Sequence, residues 1–157
     1  MGQLFFSKKG MAKFLDDVRR IEQQIADCQS NIGEHSMTGG DAWHDNFSYE
    51  NTRRELTLLN GRLKGFYEIR ANSLVIDYPK TVNHIQLGCK VTFKLDGNEI
   101  TYDIVGFGES DPENGKIAYN TPLSKSLILK KPGDCFRANI GGIERTLEIL
   151  ATEPIDG

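Results

Sequence analysis

Apolar positions in the first half of the chain recur at helical spacing. Met11, Phe14, Val18, Ile21, Ile25, Cys28 and Ile32 follow one another at steps of three and four residues, as do Tyr49, Thr52, Leu56, Leu59, Leu63 and Phe66. Alternating steps of three and four place side chains along one seam of an α-helix. A narrow apolar seam needs a partner to bury it. Two such segments of matching length, joined by about 14 residues from Gly33 to Asn46, therefore predict an antiparallel helical hairpin. At about 1.5 Å per residue, arms of some 26 to 28 residues make a rod of roughly 40 Å. Ser7 is the expected N-cap of the first helix and Gly33 its stop signal. Gly10, Gly61 and Gly65 fall inside the helical pattern, each at a propensity cost of about 1 kcal/mol. A hairpin packed on a globular domain and a bundle of two hairpins are the alternatives.

From about Asn83 the period changes from helical to alternating. Val91, Phe93 and Leu95, then Ile100, Tyr102 and Ile104, alternate with polar residues around Asp96-Gly97-Asn98, the pattern of a β-hairpin. Lys116 to Tyr119 reads as a short strand. Thr121-Pro122 opens a short helix from Leu123 to about Lys130, with Pro122 suited to its first turn. Lys131-Pro132-Gly133-Asp134 is a turn. Cys135 to Ile140 and Ile143 to Ala151 are strands joined through Gly141-Gly142. The expected fold is α+β: an N-terminal coiled-coil hairpin over residues 1–77, then a small, mostly antiparallel β domain with one short helix over 78–157. Asp77 to Val82, which contains Pro79, is the expected linker.

The net charge of −3 is spread evenly, with 10 basic and 11 acidic residues up to Asp77 and 9 and 11 after it. Neither half is the basic body that binds duplex nucleic acid by charge alone. A protein partner, or nucleic acid met inside a larger complex, is the better expectation. Cys28, Cys89 and Cys135 are odd in number and widely spaced, which suits reduced thiols in a cytoplasm. No apolar run reaches the roughly 20 residues of a membrane span. The first residues carry no secretory h-region. A cytoplasmic monomer without a membrane partner is expected.

A rod carries its tip where its base cannot go, so chemistry is sought at the turn. The tip region holds Glu34, His35, Asp41, Trp43, His44, Asp45 and Asn46, with Gly39-Gly40 allowing a tight backbone path. Asp45 or Asn46 can cap the second helix. Carboxylates at Asp41 and Asp45 suit a hard cation such as magnesium, which takes one or two protein carboxylates and completes its shell with water and phosphate oxygens. A transition-metal site from His35, His44, Asp41 and Asp45 matches no tight ligand spacing. A solvated, inert loop is the third reading.

The C-terminal stretch GESDPENGKIAYNTPLSKSLILKKPGD carries the most specific pattern. Through Asp111-Pro112, Gly115-Lys116-Ile117, Thr121-Pro122-Leu123, Leu127, Lys130-Lys131 and Gly133-Asp134 it resembles the bacterial Gre transcript cleavage factor family (GreA and GreB). Thr121 stands where that family has serine, and Ser124 and Leu129 where it has glycines. The resemblance extends over nearly the whole chain. It implies an FKBP-like C-terminal domain that docks on RNA polymerase at the secondary channel through Asp111, Pro112, Thr121 and Pro122. It also implies a hairpin reaching towards the polymerase active site.

In that family two tip acids in a Gly-Asp-Leu-Ser-Glu-Asn motif help hold the second magnesium of the polymerase, which then cleaves backtracked RNA near its 3′ end. Here the tip reads Gly40-Asp41-Ala42-Trp43-His44-Asp45-Asn46. Asp41 matches the first acid, and Asp45 the second after one extra residue. One added residue can move a carboxylate by up to about 3.5 Å. By this resemblance Asp41 and Asp45 are the catalytic and metal-holding residues, acting only jointly with the polymerase. Trp43, His44, Asn46, Arg53 and Arg54 are then candidates for contact with the RNA 3′ end. The chain has no cofactor of its own in this reading, because the magnesium belongs to the polymerase. It stimulates the polymerase's nuclease activity and is not itself an enzyme. The alternative is a regulator that occupies the channel without promoting cleavage.

Overall fold

The computed structural model describes residues 2–37 and 42–156, with side-chain surroundings for 2–31 and 48–156. Two compact units emerge: Met1–Gly2 with Ala12–Ser73, and Gln3–Met11 with Leu74–Gly157.

The first unit is an antiparallel pair of helices, α1 (Lys8–Met37), whose first four residues count with the second unit, and α2 (Ala42–Ala71). Thirty residues each give arms of about 45 Å. The seam expected from the spacing is the buried one. Ile21, Ile25 and Cys28 of α1 pack with Leu59 of α2, flanked by Leu56, Leu63 and Phe66. The ring centroids of Phe14 and Phe66 are 5.5 Å apart, edge to face. Above the seam, the Tyr67 hydroxyl donates to Glu22 at 2.7 Å. Each fully buried aliphatic side chain contributes about 1.5–3 kcal/mol, so these seam residues hold the two helices together.

The tip departs from expectation. Residues 33–46 were expected to form a loop, yet α1 continues through Gly33 to Met37 and α2 begins at Ala42. Extending a helix adds one hydrogen bond per residue, and a single glycine costs only about 1 kcal/mol, so Gly33 does not stop a helix whose flanks favour it. Asp45 and Asn46 lie inside the first turns of α2. A helix that starts at Ala42 cannot be capped by either.

In the second unit, β1 (Leu4–Phe6) and β2 (Ser73–Val75) form a two-stranded sheet. Three-residue strands have too few positions to show alternation, and the sequence pattern did not reveal them. Five further strands form the main sheet: β3 (Cys89–Leu95), β4 (Asn98–Val105), β5 (Lys116–Ala118), β6 (Cys135–Ile140) and β7 (Ile143–Pro154). Their order is β5-β4-β3-β7-β6, antiparallel except for the parallel β4–β5 pair. A short helix, α3 (Pro122–Leu127), follows β5.

The β3–β4 turn is Asp96-Gly97, with φ of 50° and 87°. Positive φ at both central residues is the turn whose twist matches a two-residue hairpin. Cys89, Val91 and Phe93 alternate inward on β3 and pack with Ile85, Ile104, Ile117, Leu127, Leu147 and Ile149. Between β3 and β7 the register shifts, so that Thr92 faces Ala151 while Phe93 faces Ile149. This bulge leaves Leu150 unpaired and partly exposed.

Candidate functional site

The sequence singles out two groups of residues, one at the hairpin turn and one in the β unit. At the turn, Trp43, His44, Asp45 and Asn46 lie on the helical backbone of α2, and their side chains lie outside the described residues. Asp41 lies outside the described residues altogether. About two turns further along α2, Arg53 and Arg54 are exposed. The Arg53 guanidinium stands 5.8 Å from the centroid of the Tyr49 ring, a cation–π distance. Both arginines line a shallow depression with Glu50, Thr57 and Leu58. Among the described residues, no three His, Cys, Asp or Glu side chains converge as a metal site requires.

The other group lies at one edge of the main sheet, because β5 is an edge strand. Asp111 and Pro112 precede β5, and Thr121 and Pro122 follow it. Asp111 forms a two-way backbone bridge with Lys116: its N–H donates to the Lys116 carbonyl at 2.8 Å and its carbonyl accepts from Lys116 at 2.9 Å. Its carboxylate accepts from the Asn114 amide at 2.6 Å. Pro112 begins a single 3₁₀ turn that closes at Gly115, where φ is +72° and the N–H donates to the Pro112 carbonyl. Proline suits a first helical position, and glycine suits a left-handed exit.

On the far side of β5, Thr121 caps α3. Its Oγ1 accepts from the Ser124 N–H at 3.3 Å, donates to the Ala118 carbonyl at 3.1 Å, and lies 2.9 Å from the Ser124 hydroxyl. Ser124 is fully buried, so a hydroxyl there needs this partner. Pro112 and Pro122 are both exposed. The edge therefore presents two rigid Xaa-Pro steps, each pinned by its own hydrogen bonds.

A polar knot that sequence reasoning missed lies where α1 begins. Ser7 is the N-cap, as its position ahead of the helix implied: its Oγ accepts from the Gly10 N–H at 2.9 Å. The same hydroxyl donates to Glu109 Oε1 at 2.7 Å, and the Ser7 N–H donates to Oε2 at 3.4 Å. Tyr78 joins through its hydroxyl, which accepts from the Gly106 N–H at 3.2 Å. Burial, then the nearby Glu109 carboxylate, push the Tyr78 phenol above its ordinary pKa. A Cβ on Gly10 would lie 2.6 Å from the Glu109 carboxyl carbon. Gly10 is therefore matched to Glu109 as well as being a helix-propensity cost. Ser7 and Glu109 are 102 residues apart in sequence, so no local signal points to the pairing.

The model of the family described as transcription elongation factor, GreA/GreB, C-term, matches residues 80–154. The chain is 39% identical over 132 residues to the transcription elongation factor GreA of Oenococcus oeni, covering 80% of this chain and 79% of that one. It is 36% identical over 121 residues to GreA of a Nitratiruptor species, covering 74% and 73%. Among solved structures it is similar to the GreA factor homolog 1 (Gfh1) of Thermus thermophilus, with a TM-score of 0.44, 17% identity, and 96% and 99% of the two chains covered.

Proposed function

The chain belongs to the GreA/GreB family of transcription elongation factors, and from that premise we propose that it binds RNA polymerase at the secondary channel and stimulates cleavage of backtracked RNA. The observation that carries this reading is the pair of aspartates: in the sequence Asp41 falls between two 30-residue helices, and Asp45 follows in the first turn of the second. A turn at the end of a narrow two-helix unit can enter a channel that a globular domain cannot.

Asp41 and Asp45 offer carboxylate oxygens, the donor type magnesium takes. In this reading they complete the coordination of a magnesium ion held by the polymerase. Such an ion acidifies bound water and offsets charge on the scissile phosphate. Trp43 supplies a ring on which an extruded base can stack, and His44 and Asn46 supply hydrogen-bonding groups. Arg53 and Arg54 attract the RNA backbone. Asp111, Pro112, Thr121 and Pro122 form the rigid edge that meets the polymerase.

A transcript-cleavage assay on stalled elongation complexes in magnesium tests the reading. The parent chain should accelerate cleavage, and Asp41→Ala or Asp45→Ala should remove about 10- to 100-fold of that acceleration while polymerase binding persists. Variants that cleave as well as the parent would show the assigned roles to be wrong. A parent that binds polymerase without accelerating cleavage would establish a channel-occupying regulator instead.

A further inference from the structure

Leu129 combines two properties that rarely coincide. Its φ is +73°, and 71% of its surface is exposed. The left-handed region brings Cβ against the backbone, so glycine, or failing that asparagine, ordinarily occupies it. Leu129 sits where the chain leaves α3, directly after the C-cap Ile128, whose N–H donates to the Ser124 carbonyl. That is the position at which helices most often place glycine. The backbone there is fixed from both sides: the Leu129 N–H donates to the Ile85 carbonyl at 2.8 Å, and the Ile85 N–H donates to the Lys130 carbonyl at 2.8 Å. Those bonds use main-chain atoms and would survive any side chain. Packing does not account for the leucine either, since most of it stands in water. The fold thus bears a strained backbone to display an apolar group.

The surroundings indicate what the group meets. Between Pro122 and Gly133 the chain has three lysines, Lys125, Lys130 and Lys131, and the nearest following acid, Asp134, is held by the Lys131 N–H at 2.8 Å. Lys130 lies 4.5 Å from the Phe136 ring centroid, which keeps its cation beside the turn. An apolar side chain next to lysines in the chain fits an apolar pocket with an acidic rim. Thr121 and Leu129 close opposite ends of the same helix, which at six residues is about 10 Å long. Leu129 is therefore within about one short helix of the edge assigned above to polymerase docking.

We propose that Leu129 is an apolar anchor for RNA polymerase, entering an acid-rimmed pocket on the polymerase beside the site that receives Thr121 and Pro122. This rests on the docking role proposed for that edge.

The test is the affinity of the full-length chain for bacterial RNA polymerase core enzyme, with thermal unfolding measured in parallel. Leu129→Asn and Leu129→Gly both tolerate the left-handed backbone and should keep the parent's melting temperature or raise it. Both should bind polymerase roughly tenfold more weakly or worse, the loss expected when a leucine no longer leaves water. Leu129→Met, which keeps apolar volume, should bind within about threefold of the parent. Parent-like affinity in the asparagine and glycine variants would overturn the anchor while leaving the docking edge intact. Failure of the parent itself to bind polymerase would overturn the functional reading and the anchor together.

Discussion

Glycines in this chain serve unlike purposes, and only their surroundings distinguish them. A Cβ on Gly106 would lie 2.9 Å from the Ser7 nitrogen and 3.1 Å from the Phe5 carbonyl oxygen, and would also press on the Glu109 carboxylate. Two of those neighbours are backbone atoms that cannot step aside, so Gly106→Ala should destabilise the chain by about 1–3 kcal/mol in denaturant unfolding. Gly61, inside α2, has nothing within 4 Å of such a Cβ. There Gly61→Ala should stabilise by about 0.5–1 kcal/mol, because only helix propensity and unfolded-chain entropy change. Asp96 offers a pH test. A side-chain bond from Arg145 at 2.7 Å and the Thr146 N–H at 2.9 Å hold its pKa below the ordinary aspartate value. A depressed folded value means that the contribution is complete above the ordinary value of 3.8, and is lost as pH falls through the folded one. Carboxyl titration by NMR should show the Asp96 pKa rising towards 3.8 in Arg145→Ala.

At the scale of elements, local chemistry was readable wherever it acts within a few residues. The 3–4 spacing marked the buried seam, Ser7 marked the start of α1, Asp96-Gly97 the β3–β4 turn, and Thr121-Pro122 the start of α3. The helix ends beside the tip were not readable, because a stop signal competes with the cooperative gain from continuing a helix. Two substitutions test the elements themselves. Ile25→Ala in the seam should cost roughly 2–4 kcal/mol, read as loss of helicity at lower temperature by circular dichroism. Ser7→Ala removes a cap and strips Glu109 of its hydroxyl donor, and should cost about 1–2 kcal/mol. A change within about 0.3 kcal/mol would show that water replaces both bonds.

For the whole molecule, the parallel β4–β5 pairing decides which residues share a surface. It sets β5 beside β4 at the edge of the sheet, and with it Asp111-Pro112 and Thr121-Pro122, which precede and follow that strand in the chain. Pro122 is exposed at the first position of α3, where a glutamate favours the helix through its dipole. Pro122→Glu should therefore fold normally while placing a negative charge on the docking edge. In the transcript-cleavage assay it should raise the concentration for half-maximal stimulation by about tenfold, with the plateau rate unchanged. An unchanged half-maximal concentration would remove this edge from the polymerase contact.

By itself the sequence determined the kinds of element, their order, the buried seam of the hairpin, the turns and caps, and the family. All of these depend on residues close together in the chain or on a contiguous motif. Tertiary structure decided what depends on residues far apart. It set β5 at the sheet edge, tied Ser7 to Glu109, gave Gly10 and Gly106 a steric reason, and held Leu129 in a left-handed conformation at the surface. Period and capping preferences act over about one helical turn or one strand pair, and register between distant strands is chosen only when the core closes. The aspartates of the tip were visible from the first reading. The helical backbone running from Ala42 through Asp45 became visible only in the structure.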